Sequence, residues 1–105
     1  GAMMGLGQAL FETIHYDGDV PINSSPLTYR VPLSTDLPDV FFSISQEQGQ
    51  GRGPFGSKGG GEGGILPIAS AIANAVHDAV GVRITDLPIT PEKVLAALDR
   101  QKSTK

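Results

Sequence analysis

The 105-residue sequence predicts an α+β fold, with about three helices and a small mixed sheet. Three observations predict it. Apolar residues recur at helical spacing in three separate stretches, short β-prone stretches are bounded by turn residues, and a glycine tract divides the chain. Helices are expected near Gly5 to Thr13, Pro67 to Val80 and Pro91 to Asp99, packed on the sheet.

Taken in order, Gly1-Ala2-Met3 reads as the remnant of a cleaved tag and is set aside. Leu6, Ala9, Leu10 and Thr13 share one helical face, among mostly good helix formers from Gly7 to Glu12. Asp17-Gly18-Asp19 then signals a turn between Ile14-His15-Tyr16 and Val20-Pro21-Ile22, which predicts a short hairpin. Pro32 and Pro38 impose an extended, irregular path. Val40 to Ser45 is rich in β-formers and is expected to be a strand. Ile65, Ile68, Ala69, Ile72, Val76, Ala79 and Val80 form one apolar face opposite Ser70, Asn74, His77 and Asp78, the pattern of an amphipathic helix. Pro67 suits its first turn and Gly81 the position past its end. Val82 to Ile84 is expected as a short strand. Thr90, Pro91 and Glu92 then supply an N-cap, a first-turn proline and a carboxylate at the positive end of the last helix dipole. Val94, Leu95 and Leu98 are its apolar side, and residues 100–105 are expected to fray.

The tract from Gly49 to Gly64 holds nine of the fourteen glycines. So many glycines carry a backbone entropy penalty that packing within the tract cannot offset, so it is either disordered or shaped around something. Within it, Gly56-Ser57-Lys58-Gly59-Gly60-Gly61-Glu62-Gly63-Gly64 presents one carboxylate on a bare backbone just before a helix. Bare glycines let a bulky group approach the main chain, and their amides can donate to it. A carboxylate held where substrate excludes water is suited to proton transfer; the alternative is a solvated loop glutamate. Both Gly-x-Gly-x-x-Gly matches in the tract follow from its richness in glycine. The first contains Pro54 and opens no helix, and the second lies more than about ten residues from the preceding strand, too far for a dinucleotide fingerprint. Gly56-Ser57-Lys58 inverts the order of a phosphate loop.

The formal charge of −3, from eight Lys and Arg against eleven Asp and Glu, offers no basic stripe, so nucleic acid is not an expected partner. With no cysteine, disulfides, iron–sulfur ligation and thiol nucleophiles are excluded from this chain. Its two histidines, His15 and His77, lie in different elements without nearby acidic ligands, so no protein-held metal site is expected. No apolar run reaches about 18 residues and no basic-then-apolar leader is present. A cytoplasmic protein without a membrane anchor is the expectation.

The run Pro-Phe-Gly-Ser-Lys-Gly-Gly-Gly-Glu-Gly-Gly, followed by Ala-Ile-Ala-Asn-Ala-Val-His-Asp-Ala-Val-Gly-Val and Leu-Pro-Ile-Thr-Pro-Glu-Lys-Val-Leu, closely resembles the end of the molybdopterin-binding subunit of the xanthine dehydrogenase, aldehyde oxidase and carbon monoxide dehydrogenase family. Gly5-Leu6-Gly7-Gln8-Ala9-Leu10-Phe11-Glu12 and the stretch from Tyr29 to Val40 resemble segments that precede it there. The resemblance covers nearly all of residues 4–98. It implies that residues 4–99 are the C-terminal part of the molybdenum cofactor-binding domain, with a cofactor loop at 49–64. It implies that Glu62 is the base that activates a hydroxide on molybdenum for attack on an electron-poor carbon. Gly59, Gly60 and Gly61, with Gly5, Gly7 and Gln8, would lie beside the molybdopterin cofactor, in its plain or its cytosine dinucleotide form. Iron–sulfur and flavin domains or subunits elsewhere would carry the electrons away. Gly63-Gly64 departs from the prolines that follow the glutamate in many relatives, which leaves the substrate open. By the same resemblance the isolated chain would lack activity and cofactor until completed by the rest of its subunit. A second expectation, from another class, is a non-enzymatic stand-alone domain acting as an interaction or assembly module. Either way its exposed apolar surfaces predict a homo-oligomer in isolation.

Overall fold

The structure is a computed structural model that describes residues 1–39 and 51–103. Among these, three helices and one two-stranded antiparallel sheet make a small α+β fold. Helix α1 spans Ala2–Leu10, strands β1 and β2 are Tyr16–Asp17 and Val20–Pro21, α2 spans Ile68–Val80 and α3 spans Pro91–Ser103. The strand expected at Val40 to Ser45 lies outside the described residues.

Helix α1 runs three residues N-terminal to its expected span, because Phe11 leaves helical geometry (φ −127°). The Gly7 carbonyl accepts from both Phe11 N–H (2.9 Å) and Glu12 N–H (2.8 Å), which closes the helix there. The hairpin forms as its turn residues predict: Tyr16 faces Pro21, Asp17 faces Val20, and Gly18 at the first turn position takes a φ of 58° that favours glycine. Asn23 holds its base, accepting from His15 N–H at 2.7 Å and donating to the Thr13 carbonyl at 2.8 Å. All four strand residues are exposed, so the helices do not pack on this sheet.

Helix α2 starts one residue after Pro67 and stops where Gly81 turns left-handed (φ 74°). There the Gly81 N–H donates to the His77 carbonyl at 2.8 Å, a left-handed C-terminal cap. The segment Val82 to Ile84 is not a strand; it contributes a single inward residue, Val82. At the start of α3, Thr90 Oγ1 accepts from Lys93 N–H at 3.4 Å. Glu92's own N–H and the Thr90 hydroxyl hold its carboxyl below the usual range. The helix continues past Asp99 to Ser103, whose hydroxyl donates to the Asp99 carbonyl at 3.0 Å.

The centre of the molecule is the contact between α1 and α2, closed by the 82–89 segment. Among the described residues, Ala9, Val82 and Ile89 are the buried hydrophobic ones, and Ile89 N–H donates to the Ala9 carbonyl at 2.6 Å. Two surface contacts tie the 25–31 segment to the end of α1. The Arg30 guanidinium lies 4.7 Å from the Phe11 ring centroid, and the Tyr29 hydroxyl donates to Glu12 Oε2 at 2.9 Å. Leu27, Leu33, Phe55 and Leu66 are among the large apolar side chains left at the surface.

Candidate functional site

The described part of the glycine tract divides into a closed turn and an open run. In the turn, Gly56 N–H donates to the Gly53 carbonyl (3.0 Å), Ser57 N–H to the Pro54 carbonyl (3.1 Å) and Gly53 N–H to the Ser57 carbonyl (3.3 Å). A side chain on Gly51 would collide with the Gly56 carbonyl, so glycine is required there by the turn itself. Phe55, at its apex, has a φ of 57° and a fully exposed ring. The helical and strand patterns gave no hint of it. The flanking Pro54 and Gly56, which mark a turn that projects its middle side chain, were the available signal.

The open run is the environment of Glu62. The N–H groups of residues 58–64 find no acceptor among the described residues. Gly59, Gly60, Gly61 and Gly63 have nothing within 4 Å of the position a Cβ would take, and Glu62 itself is exposed. On its C-terminal side the run is anchored: the Glu62 carbonyl accepts from Ile65 N–H at 3.0 Å and Leu66 N–H at 3.3 Å, which winds the chain into α2. The local result is a row of unpartnered donors and bare main chain beside one carboxylate at the foot of a helix. It suits a large, acceptor-rich, anionic group that needs close backbone approach.

The structure treats the other sequence-predicted site residues differently. Gly5 and Gly7 are buried in α1, and Gln8 is exposed on it. A side chain on Gly5 would meet Ile68 at the start of α2, and one on Gly7 would meet Glu12 and Pro32. Both glycines therefore have packing neighbours within this chain. His77 is half-buried rather than on an open polar face, with an Nδ1 shielded from solvent and without a hydrogen-bond partner. No group of three or more His, Cys, Asp or Glu side chains stands together among the described residues, and no described helix is long and apolar enough to cross a membrane.

A cleft of about 760 Å³ lies between the end of α1, the 13–30 segment and the start of α3; Phe11, Arg30, Pro88 and Lys93 are among its lining residues. No residue of the glycine tract lines it.

No protein-family model matches the chain. Individual relatives do. It is 38% identical over 98 residues to the 6-hydroxypseudooxynicotine dehydrogenase complex subunit gamma of Paenarthrobacter nicotinovorans, covering 90% of this chain and 12% of that protein. It is 38% identical over 101 residues to the aldehyde oxidoreductase molybdenum-binding subunit of Escherichia coli, covering 93% of this chain and 14% of the relative. It is 39% identical over 99 residues to the xanthine dehydrogenase molybdenum-binding subunit of Escherichia coli, covering 90% and 13%. The chain thus spans about an eighth of the length of these relatives. Over some nine-tenths of its own length it is homologous to a segment of the molybdenum-binding subunits of the xanthine dehydrogenase and aldehyde oxidoreductase family.

Proposed function

We propose that the chain is the C-terminal catalytic segment of a molybdenum hydroxylase, and that Glu62 is its base. The observation that carries this reading is the exposed Glu62 carboxylate within a run of unpartnered N–H groups and open glycines, in a sequence homologous to molybdenum-binding subunits. The glycines at 59, 60 and 61 would hold the molybdopterin cofactor through their amides, and Gly7 and Gln8 would approach it from α1. When bound, that cofactor supplies the two-electron redox chemistry by which a carbon is hydroxylated with oxygen from water. Glu62 accepts, at a carboxylate oxygen, the proton released as the water-derived nucleophile attacks an electron-poor carbon, such as that of an aldehyde or an N-heterocycle. Backbone amides on bare glycine keep the cofactor close to that carboxylate, so the proton has a short path.

This chain supplies the base and one wall of the site. The rest of the subunit completes the enclosure, and partner subunits or domains with iron–sulfur clusters and flavin receive the electrons. The wide exposure of apolar side chains supports such completion, since an isolated soluble domain rarely leaves so much apolar surface uncovered. The same exposure favours a second reading, a stand-alone assembly module that covers these surfaces by self-association.

Glu62→Gln in the complete enzyme tests the first reading. The amide keeps the size of the side chain and removes the base. Turnover is expected to fall by at least about 100-fold, the low end of what a general base contributes, with molybdenum content retained. Turnover at the level of the parent enzyme would overturn the assignment.

A further inference from the structure

We propose that Gly5 is a positioning residue for Glu62, acting through Ile68; the proposal rests on the reading of Glu62 as the base. Helix α1 approaches the first turn of α2 so closely that a Cβ on Gly5 would lie 2.6 Å from Ile68 Cβ, 2.8 Å from its Cγ1 and 3.1 Å from its Cγ2. The position of a Cβ is set by its own backbone, so no rotamer of Ile68 relieves the shortest of these contacts. A side chain at position 5 therefore has to move the first turn of α2.

What moves with that turn is the chain leading back to the base. Ile68 N–H donates to the Ile65 carbonyl at 3.2 Å, and Ile65 and Leu66 N–H donate to the Glu62 carbonyl at 3.0 and 3.3 Å. One van der Waals contact and two hydrogen-bonded turns connect Gly5 to the Glu62 backbone. Around the carboxylate, Gly59, Gly60, Gly61 and Gly63 have no neighbour within 4 Å of a would-be Cβ, while Gly64 lies against Gly1 and Ala2. Among the described residues, then, Glu62 is braced from the α2 side and, through Gly64 and the Gly61 carbonyl, by the backbone at the start of α1. The far end of α1 is fixed: Ala9 is fully buried and its carbonyl accepts from Ile89 N–H at 2.6 Å. Because α1 is held there, a clash at Gly5 is relieved at α2 and passed on to the tract.

The need for glycine at position 5 thus has a source inside the chain, separate from the cofactor approach implied by family resemblance. The two sources give different results in the complete enzyme. If Gly5 positions Glu62, Gly5→Ala shifts the base by about 1 Å and lowers kcat about 10- to 100-fold, with molybdenum content and KM near those of the parent. Adding Ile68→Gly removes the opposing Cβ, and the double variant is expected to regain most of the lost kcat. Ile68→Ala, which keeps the glycine and removes only the outer part of the brace, is expected to lower kcat several-fold with molybdenum retained. It tests the same contact if Gly5→Ala does not fold.

Three outcomes overturn the proposal: loss of molybdenum in Gly5→Ala, which makes the glycine a cofactor contact; loss of kcat without rescue by Ile68→Gly; or parent kcat in Ile68→Ala. Failure of the underlying reading is seen separately, as activity in Glu62→Gln.

Discussion

Gly81→Ala is the sharpest test of how α2 is terminated. At Gly81 the backbone takes φ 74° and ψ 6°, and a Cβ built there meets nothing within 4 Å. The substitution therefore creates no clash with the rest of the fold, and its effect is confined to the backbone. Holding an alanine left-handed costs about 1–2 kcal/mol. Against this, alanine restricts the unfolded chain and offsets about 0.4–1 kcal/mol. The net is a loss of about 1 kcal/mol, or a fall of about 4–8 °C in the thermal midpoint for a chain of this size. Gly81→Asn should fall less, because a short polar side chain visits this conformation more readily. Thermal unfolding followed by far-ultraviolet circular dichroism reads both variants. An unchanged or raised midpoint in Gly81→Ala, or an asparagine variant that falls as far, would refute the argument that the left-handed cap ends this helix.

Two further outcomes are expected. The hydrogen bond that Tyr29 donates to Glu12, reinforced by some desolvation and by the carboxylate's charge, holds the phenol above its ordinary value of 10.0. Its stabilising contribution is thus fully present below that value and is lost as pH rises through the raised one. An NMR titration should show Tyr29 ionising at higher pH than in a Glu12→Ala variant; coincident curves would remove the contact. By light scattering the isolated chain should be a dimer or larger, since Leu27, Leu33, Phe55 and Leu66 are among the large apolar side chains that its described residues leave exposed. A monodisperse monomer would contradict this.

Much of the local structure was legible because it is written in short-range chemistry. Pro67 and Gly81 bracket α2, Thr90-Pro91-Glu92 opens α3, and Asp17-Gly18-Asp19 turns the hairpin. Each of these depends on backbone dihedrals and capping donors within a few residues. Readings that needed distant partners fared differently. Val82 to Ile84 has the composition of a strand, but Val82 is used as a single inward plug. In α1, the expected span missed both the early start at Ala2 and the closure at Gly7, where two N–H groups share one carbonyl. The Arg30 to Phe11 and Tyr29 to Glu12 contacts join residues too far apart in sequence for any local pattern to reveal.

The sequence by itself determined the type and boundaries of α2, the start of α3 and the chemical singularity of Glu62, one carboxylate in a tract of glycines, because these are properties of neighbouring residues. Its several motifs in register also identified the relatives. Only the tertiary structure decided what the glycines outside the predicted turn and helix end are for. Gly51 serves a closed turn, Gly5 serves the crossing of two helices, and Gly59, Gly60, Gly61 and Gly63 face open space. A residue without a side chain carries no pattern of its own, so its role is set by what approaches it.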